Sequence, residues 1–196
     1  MKLDMVRILG STRHSVSERE KNDFYATDPQ SVLMFLKKIR KDNICLSNHI
    51  WENACGDGAI AKVLKSQGYS VFSTDIFERG YADALLDFTF EPSFTWMGDV
   101  MTNPPYKHSI DFVKNSIRAV PKGNLVIMYL RLQFVEGIKR RSLYEDFPPK
   151  YIYVHSSRQK TYKNNDKEAG KNANAVCFAW FIWEKGYRGD TVLRWL

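Results

Sequence analysis

The stretch Ile50-Trp51-Glu52-Asn53-Ala54-Cys55-Gly56-Asp57-Gly58 constrains the fold of this chain more than any other. A short apolar run enters a turn with two glycines, and Ala59-Ile60-Ala61-Lys62-Val63-Leu64 follows with helical spacing. Glycine lets a backbone turn tightly and approach a ligand closely, so the stretch reads as strand, turn and helix. The turn has no lysine and carries Glu52 and Asp57, which suits a cation better than a phosphate. Tyr69-Ser70-Val71-Phe72-Ser73-Thr74-Asp75 reads as the next strand and ends in an acid. In dinucleotide-binding folds an acid about twenty residues past the turn accepts ribose hydroxyls.

The remaining patterns continue the alternation of strand and helix that defines an α/β fold. Asp28 and Pro29 read as the N-cap and first position of a helix. Ser109 to Val120 reads as a helix, and Gly123 to Leu130 and Ala175 to Trp183 as buried strands. Tyr151 to Val154 is a further strand, and Arg131 to Tyr144 reads as a helix with a basic face. A length of 196 residues suits one domain over 23–196, preceded by a flexible charged segment over 1–22. A polar, basic loop over 156–174 separates the last two strands, and loops of that length are commonly functional or disordered; here it reads as a substrate-contacting loop.

Asn103-Pro104-Pro105-Tyr106 carries the chemistry. The amide oxygen of Asn103 and the carbonyl of Pro104 can accept the two hydrogens of an NH2 group. The fixed φ angles of the prolines hold both acceptors in place. Tyr106 can stack on a flat ring, a contact that contributes about 1–3 kcal/mol for a nucleic-acid base.

With the glycine turn upstream, Asn-Pro-Pro-Tyr resembles the catalytic motif of class I S-adenosylmethionine-dependent amino-methyltransferases, which act on adenine N6 or cytosine N4. The resemblance runs from about Phe24 to Arg131, with cofactor segment, glycine turn, ribose acid and catalytic motif in the family's order. It implies a Rossmann-like α/β fold: a mostly parallel seven-stranded sheet, one antiparallel strand near its edge, and helices on both faces. Ligands in such sheets sit at the carboxyl ends of the strands, which would set Glu52, Asp75 and Asn103 along one rim. Glu91 to Phe94 is too short for the helix often found before the catalytic strand, so a trimmed fold is expected.

The implied cofactor is S-adenosyl-L-methionine. Tyr25 and Thr27 would line its methionine end, and Glu52, Ala54, Gly56, Asp57 and Gly58 would form the first motif around it. Asp75 would take the ribose and Ile76 the adenine ring. Asp87 and Phe88 resemble the third motif, in which an acid meets the adenine amino group. The catalytic residues would be Asn103, Pro104, Pro105 and Tyr106.

A net charge of +7 favours a polyanionic partner, since lysine and arginine supply most non-specific nucleic-acid affinity. Lys107, Arg158, Lys160, Tyr162 and Lys163 are the expected contacts. The three cysteines and four histidines are scattered, which argues against disulfides and metal sites and for a reducing cytoplasm. No apolar run is long enough to span a membrane. The family branch it most resembles methylates adenine N6 in DNA, favoured here over RNA. The chain has no room for a target-recognition domain, which implies low sequence specificity or a targeting partner. The Ala179-Trp180-Phe181-Ile182-Trp183-Glu184-Lys185-Gly186-Tyr187 stretch resembles compact phage and prophage methyltransferases, which implies a host-cell cytoplasm. Open alternatives are RNA adenine-N6, DNA cytosine-N4 and protein glutamine methylation, and a catalytically silent nucleic-acid binder.

Overall fold

The computed structural model describes residues 25–157, 161–163 and 176–196, with backbone alone at Tyr25 and 161–163. The N-terminal segment 1–22, Arg158 and Lys160 lie outside the described residues. After a short strand β1 (Tyr25–Thr27) the chain alternates α1 (Pro29–Lys41), β2 (His49–Glu52), α2 (Ala59–Ser66) and β3 (Ser70–Asp75). A two-residue strand β4 (Ala84–Leu85) precedes β5 (Asp99–Thr102), α3 (Ser109–Ala119), β6 (Leu125–Arg131) and α4 (Arg141–Asp146). The last strands are β7 (Tyr151–Val154), β8 (Thr161–Lys163), β9 (Phe178–Glu184) and β10 (Val192–Trp195).

Eight strands form one sheet in the order β10-β7-β9-β6-β5-β2-β3-β4. Within it β9 alone runs antiparallel to both of its neighbours. Strands β6 and β9 are apolar along nearly their whole length because both faces of the sheet are covered. On β6, Val126, Met128 and Leu130 join one core layer, and Leu125, Ile127 and Tyr129 the other. The same alternation on β9 separates Ala179, Phe181 and Trp183 from Phe178, Trp180 and Ile182. Phe112, Val113 and Ile117 of α3 and Leu143 of α4 complete the first layer. Val32, Phe35, Leu36 and Ile39 of α1 and Ile60 and Leu64 of α2 complete the second.

Carboxylates pin the elements. Asp28 caps α1 by accepting the Gln30 N–H at 2.9 Å, with Pro29 at the first helical position. At the other end of α1, Asp42 accepts from Lys38 (2.6 Å), the Tyr153 hydroxyl (2.7 Å) and Arg194 (2.7 Å), which ties the helix to β7 and β10. Burial opposes the charge on Asp42, but these three donors hold its carboxyl well below the usual carboxylate range. Asp99, at the start of β5, accepts from the backbone N–H groups of Ser47 (2.7 Å) and Leu125 (2.8 Å) and from the Asn124 amide (3.0 Å). It thereby fixes the chain entering β2 and β6 on either side.

The structure corrects three sequence expectations. The main sheet has eight strands where seven were expected, because β10 adds to the outer edge of β7. The segment 156–174 is not loop throughout: β8 pairs antiparallel with β1, Thr27 opposite Thr161 and Tyr25 opposite Lys163. The expected helix over Arg131 to Tyr144 is broken into two 3-10 turns and the short α4. Gly137, at φ 114°, interrupts it in a conformation outside the helical region. The trimming is present, with no helix among the described residues between β4 and β5.

Gly98 leads into β5 so close to β2 that a Cβ there would lie 2.3 Å from the carbonyl oxygen of His49. A backbone carbonyl in a central strand cannot move aside. Gly98→Ala is expected to destabilise the fold by about 1–3 kcal/mol, read as a lower Tm in thermal unfolding. An unchanged Tm would show that the β2–β5 contact is looser than this.

Candidate active site

Three parallel strands set the site through their register. Glu52 of β2 pairs with Ser73 of β3, and Trp51 pairs with Val100 of β5. Asp75 and Asn103 therefore stand two residues beyond the level of Glu52, an offset of about 6–7 Å at the usual strand rise. The carboxyl ends of β3, β2 and β5 thus make a notch with Glu52 recessed at its floor. The cavity above it has a volume of about 450 Å³.

Glu52 is 1% exposed. Its Oε2 accepts the Ala61 N–H at 2.9 Å, a hydrogen bond that fastens the first turn of α2 to the strand end. Burial raises its pKa well above the ordinary 4.5, and the nearby charges of Asp57 and Asp75 push the same way. Asp75 accepts from the backbone N–H groups of Gly56 (2.8 Å) and Phe77 (2.9 Å), so the ribose-type acid also shapes the glycine turn. Gly56 and Gly58 both have positive φ, at 55° and 79°. Neither lines the cavity. Gly58 faces the Tyr81 ring, which a Cβ would approach to 2.4 Å, so packing as well as conformation requires a glycine there.

The cavity brings most of the expected residues together. Glu52, Ala54 and Asp57 line its floor side, and Thr27 enters from β1. Ile76, Asp87 and Phe88 line it beyond Asp75, and Asn103, Pro104, Pro105, Tyr106 and Lys107 border it along the loop after β5. Asp87 accepts both the backbone N–H (2.9 Å) and the hydroxyl (2.6 Å) of Thr89, bonds that lower its pKa and keep it ionised. Tyr162 and Lys163 lie on β8, one strand from Thr27. Burial drives the Cys55 thiol up to about 12, helped by Glu52 and Asp75, so it stands in the cavity wall as an inert neutral group.

Asn103 is held from outside its own segment. Its Nδ2 donates to the Thr27 hydroxyl at 3.0 Å, and Thr27 is buried in the β1–β8 ribbon. This contact fixes the plane of the amide. Pro105 leads into a 3-10 turn over Tyr106–His108, in which the His108 N–H bonds the Pro105 carbonyl at 2.9 Å.

Sequence reasoning missed several lining residues, among them Asn53, Phe77, Arg79, Thr89, His108 and Phe112. Asn53 donates to Ser116 at 3.1 Å, while its Oδ1 is buried with no partner among the described residues. Its place directly after Glu52 was the available signal. Phe112 gave none, because it reads as an ordinary apolar helix position. No group of His, Cys, Asp and Glu suited to a metal occurs among the described residues. No helix among them is long and apolar enough to cross a membrane.

No protein-family model matches the chain, and no curated protein matches it in sequence. Solved structures do share its fold. A proposed RNA methyltransferase of Pyrococcus horikoshii aligns at TM-score 0.59 and 12% identity, over 82% of this chain and 86% of its own. A proposed class I S-adenosylmethionine-dependent methyltransferase of Listeria monocytogenes aligns at 0.54 and 12% identity, over 86% of this chain and 64% of its own. TrmN of Thermus thermophilus aligns at 0.52 and 16% identity, over 80% and 48%. At such identities the likeness establishes the architecture: this chain has the Rossmann-like fold of class I methyltransferases.

Glu52 gives a test of the floor of the cavity. Its folded pKa is raised, so its contribution to stability is full below the unfolded value near 4.5 and is lost as pH rises toward the folded one. Glu52→Gln should therefore match wild type below that value and become progressively more stable than it toward pH 7. Thermal unfolding across the pH range reads this, and a pH-independent difference would contradict it.

Proposed function

We propose that this protein transfers a methyl group from S-adenosyl-L-methionine to an exocyclic amine of a nucleic-acid base, adenine N6 in DNA being the favoured target. The observation that carries the reading is the placement of Asn103. It directly follows β5, its amide is oriented by Thr27, and it borders the same cavity as Glu52 and Asp75.

The residues present fit the cofactor. A cavity of about 450 Å³ lies in the range of small-molecule sites, about 300–1,000 Å³. The unpartnered Oδ1 of Asn53 and the buried carboxyl of Glu52 are acceptors suited to a charged amino group. Ionisation of Glu52 is favoured once a cation stands beside it. Asp75 keeps lone pairs beyond its two backbone bonds and can accept ribose hydroxyls. Ile76, Phe77 and Phe88 offer apolar surface to an adenine ring, with Asp87 in reach of its amino group. Bound there, the cofactor supplies a methyl group activated by its sulfonium charge.

The chain itself contributes positioning and electrostatics. An aromatic NH2 is a poor nucleophile because its lone pair is delocalised into the ring. Asn103 Oδ1 and the Pro104 carbonyl bind its two hydrogens and favour a more tetrahedral nitrogen, with the lone pair directed into the cavity. Tyr106 supports the ring face. No strong general base is needed, since the arrangement lowers the barrier through orientation and fixed dipoles. A base within a duplex must be flipped out first, at a cost of a few kcal/mol.

The net charge of +7 and the basic segment around β8 support a polyanionic substrate over a protein glutamine. RNA is the second reading, favoured by the likeness to the Pyrococcus structure described as a proposed RNA methyltransferase. Asn103→Ala is expected to lower turnover by about 10²–10³-fold or more, with cofactor affinity by calorimetry nearly unchanged. Near wild-type turnover in that variant would overturn the mechanism.

A further inference from the structure

Arg131 ends β6, the strand next to the one that presents Asn103. Its guanidinium carbon lies 4.5 Å above the centre of the Tyr106 ring. Arg118, Arg141 and Arg194 each meet a carboxylate. Arg131 forms no such pair among the described residues, and its shielded Nε–H has no hydrogen-bond partner there. Withholding acceptors from a charged donor is costly, so an acceptor that arrives with the substrate gains what the free protein lacks. The contact with the Tyr106 ring positions the guanidinium without engaging its N–H donors.

We infer that Arg131 is a substrate-binding residue that grips the phosphodiester flanking the target base. The inference rests on the proposed action at a nucleic-acid amine. A guanidinium matches a phosphate through two parallel N–H···O bonds, a geometry that an ammonium cannot reproduce. Because the same guanidinium lies against Tyr106, the phosphate becomes fixed relative to the ring that supports the base. The contact selects a nucleotide unit over an isolated base or a glutamine side chain, neither of which carries a phosphate. It also gives β6 a part in the site that its apolar sequence conceals.

The test is a double-mutant cycle between protein and substrate. Oligonucleotides carry a neutral methylphosphonate in place of the phosphodiester on one side or the other of the target adenine. Wild type, Arg131→Ala and Arg131→Lys are compared by kcat/KM. At one of the two linkages, neutralisation is expected to lower the wild-type value about tenfold and to change Arg131→Ala hardly at all. Arg131→Lys should retain part of the sensitivity, and it completes the cycle if the alanine variant does not fold. Independent, multiplicative effects would overturn the inference, because support of Tyr106 alone is blind to phosphate charge. In that case a wild type active on the normal oligonucleotide leaves the proposed function standing. A wild type that methylates no oligonucleotide, single-stranded or duplex, overturns both.

Discussion

The parallel register of β3, β2 and β5 is the constraint on which the rest depends. Backbone pairing sets Glu52 level with Ser73, and Trp51 level with Val100. From that alone Asp75 and Asn103 project past Glu52 on either side and a notch opens between them. A slip of one residue in either pairing would turn the side chains of a whole strand to the opposite face of the sheet. The register is defended by the apolar alternation of the two core layers. Asp99, 2% exposed, also hydrogen-bonds the chain on both sides of β5, and Gly98 admits the close approach to His49.

The acidic site exerts a cost on the fold that a cationic ligand would remove. Glu52 is buried beside Asp57 and Asp75, which together disfavour its charge. A cation in the cavity would reverse that balance, so the group that makes the protein less stable near neutral pH would favour the proposed cofactor. The trimmed connections have a similar consequence. Ile76 and Phe77 follow β3 as a loop and stay half-exposed at the cavity, in place of being covered by a helix. Binding of a flat apolar ring there would bury surface that the protein alone leaves in water.

What the sequence disclosed was local. Strand β2, the glycine turn, α2 and the acid ending β3 all fall within His49 to Asp75, where period and turn chemistry determine the outcome together. The apolar runs of β6 and β9 were readable for the same reason, as strands covered on both faces. What it concealed was distant pairing. The bond from Asn103 to Thr27 joins residues 76 positions apart, and nothing in the sequence around either one points to the other. Strand β8 has the composition of a loop and is a strand only because β1 lies beside it. The glycine turn illustrates a third kind of miss: Gly58 signalled a turn correctly, yet its neighbour in space is Tyr81, not the cavity.

Delivery of a methyl group to a base amine by the notch of Glu52, Asp75 and Asn103, as proposed, can be read directly from the product. The most direct measurement incubates the protein with S-adenosylmethionine labelled in its methyl group and with single-stranded DNA, duplex DNA or RNA. Digestion to nucleosides and mass spectrometry then identify the product. Labelled N6-methylated adenine nucleoside is expected, more from DNA than from RNA and at sites of low sequence selectivity. Cofactor binding without a labelled nucleoside from any polymer would contradict it.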